Sequence, residues 1–507
     1  MHDRNRRTQA LKLGTLGALI AALLVPTAPA VAAPGDRYAS PAGSGTACTA
    51  AEPCAVPTAV SGASAGGSVL LVSGSYPDLV VAGGGGTAAQ PLTVQAAPGA
   101  DVTLTRVRTT APHVVWSGLR VVTTFYLNPG STGSRLTGMH FDGGGLFLRA
   151  AQITVADSLF EGGHSIDGIQ VGNASDVLIE GNEVHDYDQS SDNGYHADCL
   201  QIFDSARVTV RGNRLGNCYN AGIILSPGGG AGMTDIVIES NFIQGCVVRS
   251  ALCGGGSAVD LRPPKISGLV LRSNTILDGS TRLIASPGLV ADRNIVGYLS
   301  DCAAPLGNSV ILGWNPTGCA QPASLGVNGT RYGAVDFRDR AGGDLHLVTP
   351  TQARIEASGS VATAVLDIDD QGLDPRLAGA DSVPGATLGA VPAPTPPAAG
   401  GGSSSSGATL ILPAEAGASS DIPGIDAYFA SKGIAAASFT VPIAARTVVR
   451  GTRASGRWMV SWDLTGVPSG SYATSAQVVT TNGGVATIPL VIRVVAASAT
   501  ARTVALR

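Results

Sequence analysis

The densest concentration of chemically capable side chains lies in the run His185–Asp204, HDYDQSSDNGYHADCLQIFD. It holds five acids (Asp186, Asp188, Asp192, Asp198, Asp204), two histidines and the tyrosines Tyr187 and Tyr195, in a chain only 13% charged. Upstream, His164-x-x-Asp167-x-x-Gln170 has a near counterpart in His196-x-Asp198-x-x-Gln201. Imidazole beside carboxylate supplies acid–base or metal-binding capacity; stacked Asp and Gln side chains that satisfy turn hydrogen bonds account for the same residues. Asp186-x-Asp188-x-x-x-Asp192, with Asp198 close by, offers the oxygen ligands that Ca²⁺ takes, and a solvated acidic loop is the competing reading. Asp167 and Asp198 are also candidates for the two carboxyls of a glycoside hydrolase, which stand about 5–10 Å apart.

The elements that position these residues are repetitive. Val177–Val184, Val208–Leu215, Ile236–Ile243 and Leu269–Ile276 share one template, an alternating apolar strand followed by Asn. The Asn column is Asn182, Asn213, Asn241, Asn274 and Asn294, at intervals of 31, 28, 33 and 20 residues. Self-similarity at such a period marks a stacked solenoid, and alternating Val, Ile and Leu make the stacked unit a strand. Two residues before each Asn stand Glu180, Arg211, Glu239, Arg272 and Asp292. In-register parallel strands about 4.8 Å apart place each charge beside its opposite. The Asn column suits an amide ladder at a turn, with Asn tolerating left-handed backbone.

Each rung has a second strand, around Ile169, Leu200, Ile223 and Val259, whose outward column reads Gln170, Gln201, Ile224 and Asp260. The long intervals require insertions beside these strands, and function gathers on loops held by a rigid scaffold. The segments 185–196 and 246–256 lead into the second strand; 226–232 and 262–265 leave it. They predict a groove for a chain-like ligand, with Gln170, Gln201, Asp260, Arg262 and Tyr187 as substrate contacts. Lys265 is the solenoid's one lysine.

These repeats resemble those of secreted right-handed parallel β-helix proteins of pectate-lyase-like architecture, over roughly residues 36–390. The segment Asp344–Leu347 through Asp367–Arg376 is similar to the way such helices end. Lys265 followed by Arg272-x-Asn274-Thr275 is similar to the lysine segment of alginate-lyase-like β-helix enzymes. Where that family carries Arg-His-Gly, this chain has Ser286-Pro287-Gly288, with Arg282 the arginine nearby. The resemblance implies β-elimination on a uronate-containing glycan, with His196, Tyr195 or Lys265 as base. Asp198, Asp167 and His164 complete the expected catalytic set, and Ca²⁺ on Asp186, Asp188, Asp192 and Asp198 would neutralise the uronate.

The organisation predicted is all-β. Residues 1–32 read as a secretory signal, with Arg4, Arg6, Arg7 and Lys12 ahead of an apolar run and Ala30-Val31-Ala32 as a cleavage site. A β-helix over 36–390 follows, then a Pro/Gly/Ser linker over 391–408. An immunoglobulin-like β-sandwich over 409–507 completes the chain, with Trp458 and Trp462 expected in its core. Eight cysteines suit an oxidising exterior, with sequential pairing the simplest of 105 connectivities. No Cys-x-x-Cys pair points to zinc or redox chemistry. A net charge of −4 gives no electrostatic case for nucleic acid. The expectation is a secreted, monomeric protein acting on extracellular polysaccharide and free of the membrane once its signal is removed. A polysaccharide lyase leads; a glycoside hydrolase and a non-catalytic glycan-binding protein are the alternatives.

Overall fold

The computed structural model describes residues 35–189, 196–247, 256–262, 265–315, 320–356, 366–383, 386, 388, 408–419, 422–436, 438–443, 446–480 and 485–505. The expected signal segment and linker residues 391–407, together with Tyr195, Asp192, Cys253 and Cys319, lie outside them. Among the described residues, no helix is long and apolar enough to cross a membrane.

The rungs coil as parallel strands on three faces. The first face runs from Arg37–Ala39 to Leu306–Gly307 and includes Ser175–Glu180, Ala206–Arg211 and Met233–Glu239. The second includes Glu183–His185, Arg214–Gly216 and Phe242–Gln244. The third, the floor of the groove the sequence predicts, includes Gly145–Leu148, Ile169–Gly172, Leu200–Phe203, Ala221–Leu225, Ser257–Leu261 and Ser280–Arg282. Inward residues of all three faces join one continuous apolar core. At the N-terminal end the short helix Val56–Gly62 packs Val56, Ala59 and Val60 onto that core.

The Asn column forms the amide ladder at the turn between the first two faces. Asn213 Oδ1 accepts from the Asn182 backbone N–H at 2.9 Å and from its Nδ2 at 3.0 Å. Asn241, Asn274 and Asn294 repeat the arrangement. The left-handed backbone falls one residue earlier than expected, on Gly181, Gly212, Ser240, Ser273 and Arg293. The amides instead satisfy backbone carbonyls buried inside the turn, as Asn213 does for Ile179 and Arg211. In the charge column, Arg211 reaches Glu180 at 2.7 Å and Arg272 reaches Glu239 at 2.6 Å.

The closing segment does more than end the coil. Leu345, Leu347, Ile355, Ile368 and Leu377 pack against Phe242, Leu277, Ile295 and Val310, so the later second-face strands are buried on both sides. Beyond it, a five-stranded sheet and a four-stranded sheet enclose a separate core that contains Trp458 and Trp462. Cys48–Cys54 and Cys199–Cys218 are disulfides, as sequential pairing expects. Cys246 and Cys302 are also disulfide-bonded.

Candidate active site

The floor strands stack in register, so their outward residues form one column. Gln170 aligns with Gln201, Gln201 with Ile224, Ile224 with Asp260, and Asp260 with Arg282. The same register places Asp167 of one rung beside Asp198 of the next, both just ahead of their strands. Asp167 is 3% exposed and Asp198 is 1% exposed. Above them lies His196, whose side chain is 47% exposed and whose Nδ1 sits 3.2 Å from Asp167 Oδ1 and 3.4 Å from Asp198 Oδ2. Asp167 Oδ1 also accepts the Asp198 backbone N–H at 2.9 Å, which locks the two rungs together. Nε2 of His196 has no hydrogen-bond partner among the described residues.

The electrostatics follow from this geometry. Hydrogen bonding to Asp167 first, and to Asp198 second, raises the His196 imidazole to about 10, so it is an imidazolium at neutral pH. Burial pushes Asp198 up to about 6, and His196 partly offsets that cost. Asp198 Oδ1 is buried with no hydrogen-bond partner.

Beside this cluster the floor is an amide chain. Gln170 Nε2 donates to Asp167 Oδ2 at 2.9 Å and to Gln201 Oε1 at 2.8 Å. Arg149 donates to the Gln170 carbonyl and side-chain oxygens and lies over the rings of Phe147 and Phe203. On the C-terminal side Asp260 is gripped by Arg262 at 2.7 Å and by Arg282 at 2.6 Å. Asp260 places one carboxylate oxygen on each arginine, and both guanidinium groups remain about half-exposed.

Several expected members stand elsewhere. Tyr187 is 1% exposed, its hydroxyl donating to the Gly144 carbonyl at 2.6 Å, so it is core rather than groove wall. His164 pairs with Asp188 and not with Asp167; the backbones of His164 and Asp188 bridge in parallel, which sets the two side chains together. Asp186 is held by His185 at 2.9 Å and by Asn217. These contacts keep the Asp186 carboxyl below the usual carboxylate range. Among the described residues, Asp186, Asp188 and Asp198 serve three different partners; Asp192, the fourth expected Ca²⁺ ligand, lies outside them. The set that does converge is Asp167, His196 and Asp198, with ligand atoms within 4.8 Å of one another. Two carboxylates and an imidazole suit a transition metal better than the roughly 6–8 oxygens of a Ca²⁺ site.

Lys265 lies at the other end of the floor. Its Nζ donates to the Gly230 carbonyl at 2.7 Å, beside the turn where Asp204 accepts from Gly230 and Gly232. Asp204 and Asp198 flank opposite ends of Leu200–Phe203, so the structure separates Lys265 from His196. Sequence reasoning missed Arg149. Its signal was the three-residue offset from Leu146, which register places opposite Ile169 and hence beside the amide column.

A family described as the right-handed β-helix region matches residues 125–294. The chain is a right-handed parallel β-helix protein. Its solved structural neighbours include the pectate lyase Pel9A, at 15% identity and a TM-score of 0.39, covering 68% of this chain and 90% of that one. An alginate lyase from Paenibacillus sp. str. FPU-7 is similar at 15% identity and a TM-score of 0.26, over 55% of this β-helix protein and 87% of the neighbour. A mannuronic-acid-specific family 6 polysaccharide lyase from human gut microbiota has 11% identity and a TM-score of 0.28, over 55% and 76%. No curated protein matches the sequence.

Proposed function

We propose that this β-helix protein is an extracellular polysaccharide lyase that cleaves uronate-containing glycans by β-elimination, with His196 as the proton-transfer group. The observation that carries this reading is the exposed His196 imidazole seated on the buried Asp167–Asp198 pair at the head of the groove floor. β-Elimination removes the proton α to the uronate carboxylate and expels the glycosidic oxygen. It needs a base of high affinity for that proton and cations on the carboxylate. His196, in its neutral form, takes the proton at Nε2 while Asp167 and Asp198 stabilise the imidazolium that results. The same Nε2–H can then protonate the departing oxygen. Arg262 and Arg282 supply positive charge beside the carboxylate, and the Gln170–Gln201 amides meet sugar hydroxyls.

This assignment favours His196 over Lys265, which faces the far turn. It also disfavours hydrolysis, because a carboxylic acid must touch the glycosidic oxygen and both aspartates lie beneath His196. The test is incubation with a panel of polyuronates at pH 7–10, following absorbance of unsaturated products. Product formation that disappears in His196→Ala supports the reading. Reducing ends without unsaturation, or no product across the panel, overturns it.

A further inference from the structure

The floor column continues on the N-terminal side of the His196 site, through residues to which no role has yet been given. From Gln170 it runs back in register through Phe147, Tyr126 and Arg108 to Val80. The Tyr126 and Phe147 rings stack, with centroids 4.5 Å and planes 14° apart. Beyond the stack, Arg106, Arg108, Thr124, Tyr126 and Asn128 line a surface pocket of about 360 Å³. The strand Val102–Thr109 alternates, so Arg106 and Arg108 share the outward face while Val107 enters the core.

The pocket is electropositive for a structural reason. Arg106 and Arg108 face a single carboxylate, Asp78, at 3.8 Å and 2.7 Å. Two guanidinium groups on one acid leave a net positive charge, and their side chains remain 47% and 44% exposed. An arginine used only to balance the stack needs one acid each, as Arg211 has in Glu180 and Arg272 in Glu239. Guanidinium forks match carboxylates in geometry, and the Tyr126 and Asn128 side chains, which also line the pocket, offer hydroxyl and amide partners for sugar hydroxyls. Arg262 and Arg282 carry positive charge on the opposite side of His196. Tyr126 and Gln201 are three strand steps apart, roughly 14 Å at about 4.8 Å per step. One sugar cannot bridge that span, whereas an extended chain laid along the column can.

Resting on the lyase reading above, we infer that the Arg106–Arg108–Tyr126 pocket is a distal subsite holding a uronate carboxylate of the same polysaccharide chain whose reacting unit lies at His196. Binding there requires no chemistry, so it is measured in the His196→Ala background, which leaves the polymer intact. Affinity for a long polyuronate, a uronate disaccharide, a sulfated glucan and a neutral glucan is compared with and without R106Q and R108Q. Charge-assisted contacts of this kind predict that the double substitution weakens the long polyuronate by roughly ten-fold or more. Disaccharide and neutral glucan binding should stay unchanged, as should the thermal melting curve. Equal affinity for the long polyuronate with and without the two arginines overturns the subsite, and so does equal weakening of the neutral glucan. Preference for the sulfated glucan overturns the uronate assignment. Absence of unsaturated products in the wild-type protein would refute the lyase reading alone, because the binding comparison does not depend on turnover.

Discussion

Replacing Asp198 by Asn should move the rising limb of the activity profile toward neutral pH. The substitution keeps the side chain's shape and removes one of two charges acting on His196 Nδ1, 3.4 Å away. At that distance a charge pair is worth roughly 5 kcal/mol at an effective dielectric of about 20. Solvent reaches the half-exposed ring and screens much of this, leaving roughly 2 kcal/mol, or about 1.5 pH units. If neutral His196 is the base, wild-type kcat/KM climbs with pH until about 10, and the D198N profile should level off roughly 1.5 units earlier. Stability gives an independent readout with a defined sign. His196 is raised in the folded state, so its contribution is fully present below about 6.5 and is lost as pH rises through about 10. Asp198 is raised by burial, so its ionisation costs stability as pH climbs from 3.8 to about 6, a cost that Asn lacks. The experiment is a kcat/KM profile on a polyuronate, paired with an NMR titration of the His196 ring assigned by comparison with His196→Ala. Superimposable wild-type and D198N titrations would refute the electrostatic reasoning, whatever the activity.

Two further outcomes probe the scaffold. Asn213→Ala deletes the acceptor for two Asn182 donors and two donors to buried carbonyls; it should cost roughly 3 kcal/mol or more in urea unfolding, and a loss below about 1 kcal/mol would contradict the ladder's role. Tyr187→Phe removes one buried hydrogen bond, to Gly144; it should lower stability by about 1–2 kcal/mol and leave KM unchanged, whereas a raised KM would return Tyr187 to the groove.

Most of the architecture was legible because stacking in register copies local pattern into long-range order. The Asn and alternating-charge columns, the apolar spacing and the outward Gln170–Gln201–Ile224–Asp260 column each repeat at a period, and a parallel solenoid aligns what repeats. The insertions beside the floor strands are where legibility failed. His164 and His196 look equivalent on paper, yet a bridge to the next rung gives His164 to Asp188 while His196 meets Asp167 and Asp198. Tyr187 belongs to a polar run but turns inward to the Gly144 carbonyl.

The chemical run His185–Asp204 therefore divides along one physical line. Its order of residues determined that an imidazole and carboxylates enter a floor strand of a parallel stack, because strand period and rung register are local properties. Only the tertiary structure decided that Asp167 and Asp198 are buried together beneath one exposed histidine. Burial and partner choice depend on what neighbouring rungs bring to the same point. That shared environment, rather than the abundance of acids in the run, raises His196.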